Sequence, residues 1–197
     1  MENEQSLTTE ESLKLITSMI SEAKNDYYNS GISSLLWGTV IIFCSLAAYA
    51  NQYLKWAVLD YIWFLTVAAV IPQIIISIRE GRQRGYKSHQ SEIIGGIWFS
   101  FAIAIFLFSY LASRYEIKQE AAVYLTFYGI PTFATGYGRR YRPMIIGGLA
   151  CWVLAIVALY VPYPNVLFLL AAGALLAWFI PGLLLRKCYL KAKRQHV

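Results

Sequence analysis

Tyr124, Tyr128, Thr132 and Thr135 fall at i, i+4, i+8 and i+11 within the stretch from Ala121 to Arg142, so a helix would carry them as one stripe of phenols and hydroxyls. Such a stripe can bind a small polar solute or bond neighbouring helices together. Two further residues complete the candidate polar cavity. Asp60 is the only carboxylate clearly inside an apolar run, and Gln73 sits beside Pro72. Asp60 lies four residues into its run, about 6 Å below the boundary at the rise of a helix, where interfacial water reaches it. Buried instead, it would have the Tyr124 phenol of the fourth run at a similar depth.

The residue types needed for catalysis are missing. The only histidines are His89 and His196, and no His-Glu-x-x-His, Gly-x-Ser-x-Gly or glycine-rich phosphate loop occurs. Cys44, Cys151 and Cys188 are odd in number and far apart, so no disulfide framework or metal spacing follows from them. The sequence therefore predicts a protein that is not an enzyme, with no catalytic, cofactor-binding or metal residues.

The elements that must position the stripe are apolar helices. Hydrophobic residues make up 58% of the 197 and charged residues 14%, with a mean hydropathy of +0.49. A soluble domain carries about a quarter charged residues, so the chain reads as an integral membrane protein. Six apolar runs follow one another, near 32–50, 56–78, 93–112, 121–137, 144–161 and 166–185, each long enough to cross most or all of a ~30 Å hydrocarbon core. Short connections between the first and second, third and fourth, and fifth and sixth runs pair them. The predicted fold is all-α, a polytopic membrane bundle of six transmembrane helices in three tandem hairpins, preceded by a cytoplasmic amphipathic helix. The domains read as 1–30, a cytoplasmic N-terminal segment; 31–187, the transmembrane bundle; and 188–197, a basic cytoplasmic tail.

Charge sets the expected orientation. Fourteen of the 17 Lys and Arg residues fall on one side of this topology, and only Lys55, Arg114 and Lys118 on the other, which places both termini in the cytoplasm by the positive-inside rule. The net charge of +6 is thus accounted for at the ends of apolar runs, and no nucleic-acid-binding motif accompanies it, so no nucleic acid partner is expected. Gly129 and Pro131 are expected to interrupt the fourth helix, and Tyr128, too deep to reach either interface, is expected to find a protein or water partner.

A weak internal repeat runs through the spans. Ile71-Pro72, Ile130-Pro131 and Ile180-Pro181 lie in the even runs, each followed by an arginine, while Ile93-Ile94-Gly95-Gly96 is echoed by Ile145-Ile146-Gly147-Gly148 in the odd ones. The small-xxx-small pairs Ser34/Gly38 and Gly96/Ser100 are expected to be helix contacts. Mitochondrial carriers are also three tandem hairpins, but their charged signature follows prolines on odd helices. Here Pro72, Pro131 and Pro181 lie on even spans and are followed by Gln73, Thr132 and Gly182.

In the first thirty residues six acids stand against Lys14 and Lys24, and Leu13, Ile16, Ile20, Ala23 and Tyr27 recur at helical spacing after a Thr8/Glu11 capping box. This predicts an amphipathic helix over residues 8–28. Its net acidity favours protein over anionic lipid, either a cytoplasmic protein partner or this chain's own basic loops after the second and fourth spans. The segment from Glu10 to Gly38, EESLKLITSMISEAKNDYYNSGISSLLWG, resembles the opening of uncharacterised small six-span bacterial membrane proteins. The resemblance implies a bacterial inner membrane, with lipid as a partner, and carries over no active residues. The functional expectation is a membrane anchor, sensor or accessory subunit. The alternative is a small-solute transporter or channel with its site on the fourth span, and a membrane enzyme ranks third. No oligomeric state follows from the sequence.

The orientation is open to a direct test. Single cysteines at Gln52 and Gln119, in a background without native thiols, should react with an impermeant reagent on intact cells, whereas cysteines at Gln83 and Gln195 should react only after permeabilisation.

Overall fold

Apolar length and the demand that every backbone amide be bonded internally leave this chain one solution in hydrocarbon, the α-helix. The computed structural model describes Thr8 and residues 31–83, 89–115, 117 and 119–195, and the described residues form an all-helical bundle without strands. Except for Thr8, the expected amphipathic helix over residues 8–28 lies outside them. The elements are α1 (Ile32–Leu54), a 3-10 turn (Ala57–Tyr61), α2 (Phe64–Ala68), α3 (Val70–Gln83), α4 (His89–Arg114), α5 (Glu120–Gly138), α6 (Arg142–Ala158), α7 (Val166–Ala174), a π turn (Leu175–Phe179) and α8 (Ile180–Gln195).

Four helices are long and apolar enough to cross a membrane: Ile32–Leu54, Phe64–Arg82, His89–Arg114 and Val166–Lys191; Arg142–Ala158 is a shorter apolar helix. Half of the most apolar window of Val166–Lys191 is buried in the bundle, against 6% for Phe64–Arg82 and for His89–Arg114. The core is accordingly built by α1, α5, α6, α7 and the π turn. The α3 helix leans on α1 and α4 lies along α5, as peripheral elements. The most extensive packing is between α5 and α6, joined by the short turn 139–141.

Several expectations change here. The run 56–78 is not one helix: Trp56 is extended, Ala57–Tyr61 forms a 3-10 turn, and the spanning helix starts only at Phe64. The physical reason is Asp60, an exposed carboxylate in that turn that accepts a 2.7 Å hydrogen bond from Asn51 Nδ2. Asn51 in turn accepts from the Trp56 and Lys55 amides at 2.8 and 2.9 Å, the latter from a left-handed residue that ends α1. Gly129 and Pro131 do not break α5, which is continuous from Glu120 to Gly138. The last apolar run contains a π turn, and its helix continues to Gln195, so residues 188–195 are an extension of α8.

The small residues also part company. A Cβ at Gly147 would stand 2.4 Å from the Leu176 carbonyl oxygen, and one at Gly148 2.8 Å from Phe133 Cβ, so this pair allows α6 to meet the π turn and α5 at backbone range. Gly38 meets Phe179 in the same way. Gly95 and Gly96 have nothing within 4 Å, and Ser100 is exposed. The Gly96/Ser100 pair is therefore not a contact in this chain, because α4 turns other residues toward α5.

Gly147→Ala should lower stability by about 1–3 kcal/mol, the usual cost of overpacking where backbone blocks relaxation. Gly96→Ala should be neutral. Thermal unfolding of the two variants in detergent, beside the wild type, checks both.

Candidate functional site

The stripe lies on the most enclosed helix. Thr132 is fully buried, Thr135 3% exposed and Tyr128 5% exposed, and the neighbouring Pro131 and Leu125 are buried as well. Helical spacing places them on one face, and the π turn supplies the group they meet. Five residues wound as a π turn rotate Trp178 inward, where its indole Nε1 donates a 2.9 Å hydrogen bond to Thr132 Oγ1. Thr132 passes its own proton to the Tyr128 carbonyl oxygen at 2.7 Å, so the hydroxyl is used in both directions. Three residues on, Thr135 Oγ1 accepts at 2.9 Å from Nε1 of Trp98, which α4 brings to within 6.3 Å of the Trp178 ring.

Aromatic rings fill the space between these bonds. The Tyr128 ring lies 4.6 Å from Trp178, and Phe101 of α4 meets Trp98, Tyr128 and Trp178 at 5.6, 6.3 and 6.3 Å. The Tyr128 phenol is hydrogen-bonded to none of the described residues. It stands within electrostatic reach of the Tyr124 phenol and the buried Cys151 and Cys44 thiols. The Ser45 hydroxyl of α1, also fully buried, has no partner either.

The other candidate residues make their hydrogen bonds outside this knot. Tyr124 bonds Ser109 of α4 at 2.9 Å, not Asp60, which remains at the exposed turn. Gln73 forms a separate hub. Its Oε1 accepts from Trp37 Nε1 at 3.1 Å, and its Nε2 donates to Ser33 and Ser77 at 3.2 and 3.0 Å, tying α3 to α1. The structure thus gathers Tyr128, Thr132 and Thr135, with the Tyr124 ring 6.5 Å from that of Tyr128 at the edge, and leaves Asp60 and Gln73 elsewhere. The residues that sequence reasoning missed are Trp98 and Trp178. Their signal was the count of six tryptophans in a chain whose interior needs donors.

A groove of about 540 Å³ opens between α5 and α6, lined by Val123, Thr126, Trp152 and Ile156 among others. Trp152 donates to the Thr126 carbonyl oxygen at 3.3 Å and covers Gly129, so this groove lies on the far side of α5 from the stripe's indole partners. Among the described residues no three His, Cys, Asp or Glu side chains gather as a metal site. The arrangement as a whole holds helices together through indole donors and hydroxyl acceptors.

The chain matches no protein-family model, no curated protein and no solved structure.

The Trp178 to Thr132 bond is testable by a double-mutant cycle. Thr132→Val leaves the indole unpartnered and should destabilise the bundle, whereas Trp178→Phe with Thr132→Val should be less damaging than the sum of the two. A coupling of about 0.6–1.7 kcal/mol, the range of interhelical bonds in membrane bundles, should appear in detergent unfolding.

Proposed function

We propose that this chain is a non-enzymatic integral membrane protein that acts as an anchor, sensor or accessory subunit. It crosses a bacterial inner membrane six times as three hairpins, with both termini in the cytoplasm and residues 8–28 available to a cytoplasmic protein. The observation that carries this reading is how the interior polar groups are used. Thr132 and Thr135 accept the indole donors of Trp178 and Trp98, and Gln73 is bonded at both ends of its amide. Groups engaged with one another in a dry interior are held there by the loss of unbonded polar groups to hydrocarbon, and they serve cohesion ahead of solute binding.

Four helices long and apolar enough to span support the membrane setting. The distribution of Lys and Arg along the sequence supports the orientation. Transport is the second reading, favoured by the unbonded Tyr128 phenol beside Pro131 and the unbonded Ser45 hydroxyl, which leave two polar groups for a small solute.

Two variants separate these readings. Under the accessory reading, deleting residues 1–28 leaves the bundle inserted and removes co-purifying cytoplasmic proteins, and Tyr128→Phe leaves function per folded molecule unchanged. Flux into proteoliposomes that Tyr128→Phe abolishes, with the protein still folded, would establish transport instead.

A further inference from the structure

The last helix does not stop at the bundle. Gly31, at φ 68°, packs against α8 so closely that a Cβ there would stand 2.6 Å from the Gly182 carbonyl oxygen and 3.2 Å from the Arg186 amide nitrogen. The start of α1 is thereby level with residues 182–186, while α8 runs on to Gln195. At ~1.5 Å per residue this leaves close to 15 Å of helix projecting past the point where the chain enters the bundle. The projection is basic. Arg186, Lys187, Lys191, Lys193 and Arg194 fall between 186 and 194 with no acid among them. Lys187 and Lys191 are exposed, the Arg186 guanidinium rests over the Tyr189 ring at 5.5 Å, and among the described residues none of these three has an ion-pair partner. Leu184 and Leu190 are 40% and 41% exposed on the same helix. The turn between α5 and α6 abuts this end, since Tyr141 donates to the Pro181 carbonyl oxygen at 3.3 Å. Burial, and then the neighbouring Cys188 thiol, push the Tyr141 phenol up from its ordinary value.

We propose that the N-terminal segment, residues 1–30, docks on the projecting part of α8. The segment's charge is opposite, with six acids against two lysines, and its apolar stripe of Ile20, Ala23 and Tyr27 matches the exposed leucines. Its attachment point lies at this end of the bundle. The α1 helix packs beside α8, and the segment joins the bundle at Gly31, directly beside the start of the projection. Asp26 and Glu22 are the acids nearest Gly31 in sequence, and Lys187 and Lys191 the exposed cations nearest it on α8. Sequence alone pointed to the loops after the second and fourth spans. The position of Gly31 moves the contact to α8. An anionic lipid surface would repel the segment, and a cytoplasmic partner would have to displace it from α8. The inference deepens the accessory reading, because it says where the partner-binding segment rests when no partner is present. It does not depend on that partner existing.

Cys188, exposed between Lys187 and Tyr189, is a native reporter, since Cys44 and Cys151 are buried. Purified full-length chain in nanodiscs of zwitterionic lipid is labelled with a bulky maleimide, alongside Glu22→Lys/Asp26→Lys and the milder Glu22→Gln/Asp26→Asn. Docking predicts that the wild type reacts about tenfold more slowly than the charge-reversed chain at low salt, the scale on which a few exposed ion pairs act together. The milder pair should fall between them. The difference should vanish near 1 M salt, where the screening length is about 3 Å. Equal rates at low salt would overturn the proposal. So would protection that grows with protein concentration, which identifies a second copy, or protection that appears only with anionic lipid, which identifies headgroups. Both faces of a nanodisc are open and no partner is present, so failure here leaves the cytoplasmic orientation and the accessory reading to their own tests.

Discussion

A polar hydrogen that enters a dry helix bundle must find an acceptor there, and the hydrogen bond from Trp178 to Thr132 is where this protein meets that requirement most completely. The indole is 3% exposed and the hydroxyl fully buried, so neither group has recourse to water. Much else is arranged around that bond. The π turn at Leu175–Phe179 rotates the tryptophan inward, Gly147 lets α6 approach the turn's backbone, and Gly38 lets α1 approach Phe179 from the other side. Widening any of these contacts would separate donor from acceptor. An unpartnered buried donor costs about 1–3 kcal/mol, more than most single apolar contacts supply.

The same chemistry recurs at lower burial and sets the peripheral helices. Trp98 fastens α4 to α5 through Thr135, and Trp37 fastens α1 to α3 through Gln73. Indoles suit this task because each buries a large apolar surface and carries a single donor. The α3 and α4 helices have little buried apolar area of their own, so directional bonds at a few points decide where along the core they sit. Their remaining faces expose Ile71, Ile74, Phe99 and Phe106, as expected of helices long and apolar enough to span a membrane.

Few polar groups remain in the interior. Once the indoles have taken the threonines, the unbonded interior groups on the described residues are the Tyr128 phenol and the Ser45 hydroxyl. At one end of the bundle Gly31, the turn 139–141 and the basic extension of α8 come together. An accessory or anchoring protein needs little more than a stable bundle and one such end.

Composition and hydropathy, by themselves, pointed to a bundle of apolar helices, and the all-helical structure has four helices long and apolar enough to cross a membrane. The periodicity from Tyr124 to Thr135 likewise determined that these residues share a face, since a helix places every fourth residue on one side. What spacing along one chain cannot supply is the partner across the interface. Tyr124 and Asp60 lie at similar nominal depth, yet Asp60 belongs to a 3-10 turn with Asn51 and Tyr124 to Ser109. The paired glycines carry one motif and meet two fates: Gly147 and Gly148 are enclosed, while Gly95 and Gly96 stand open. Which copy is enclosed depends on the rotation of each helix about its axis. That rotation is set by the sum of contacts from all neighbours, so only the tertiary structure decided it.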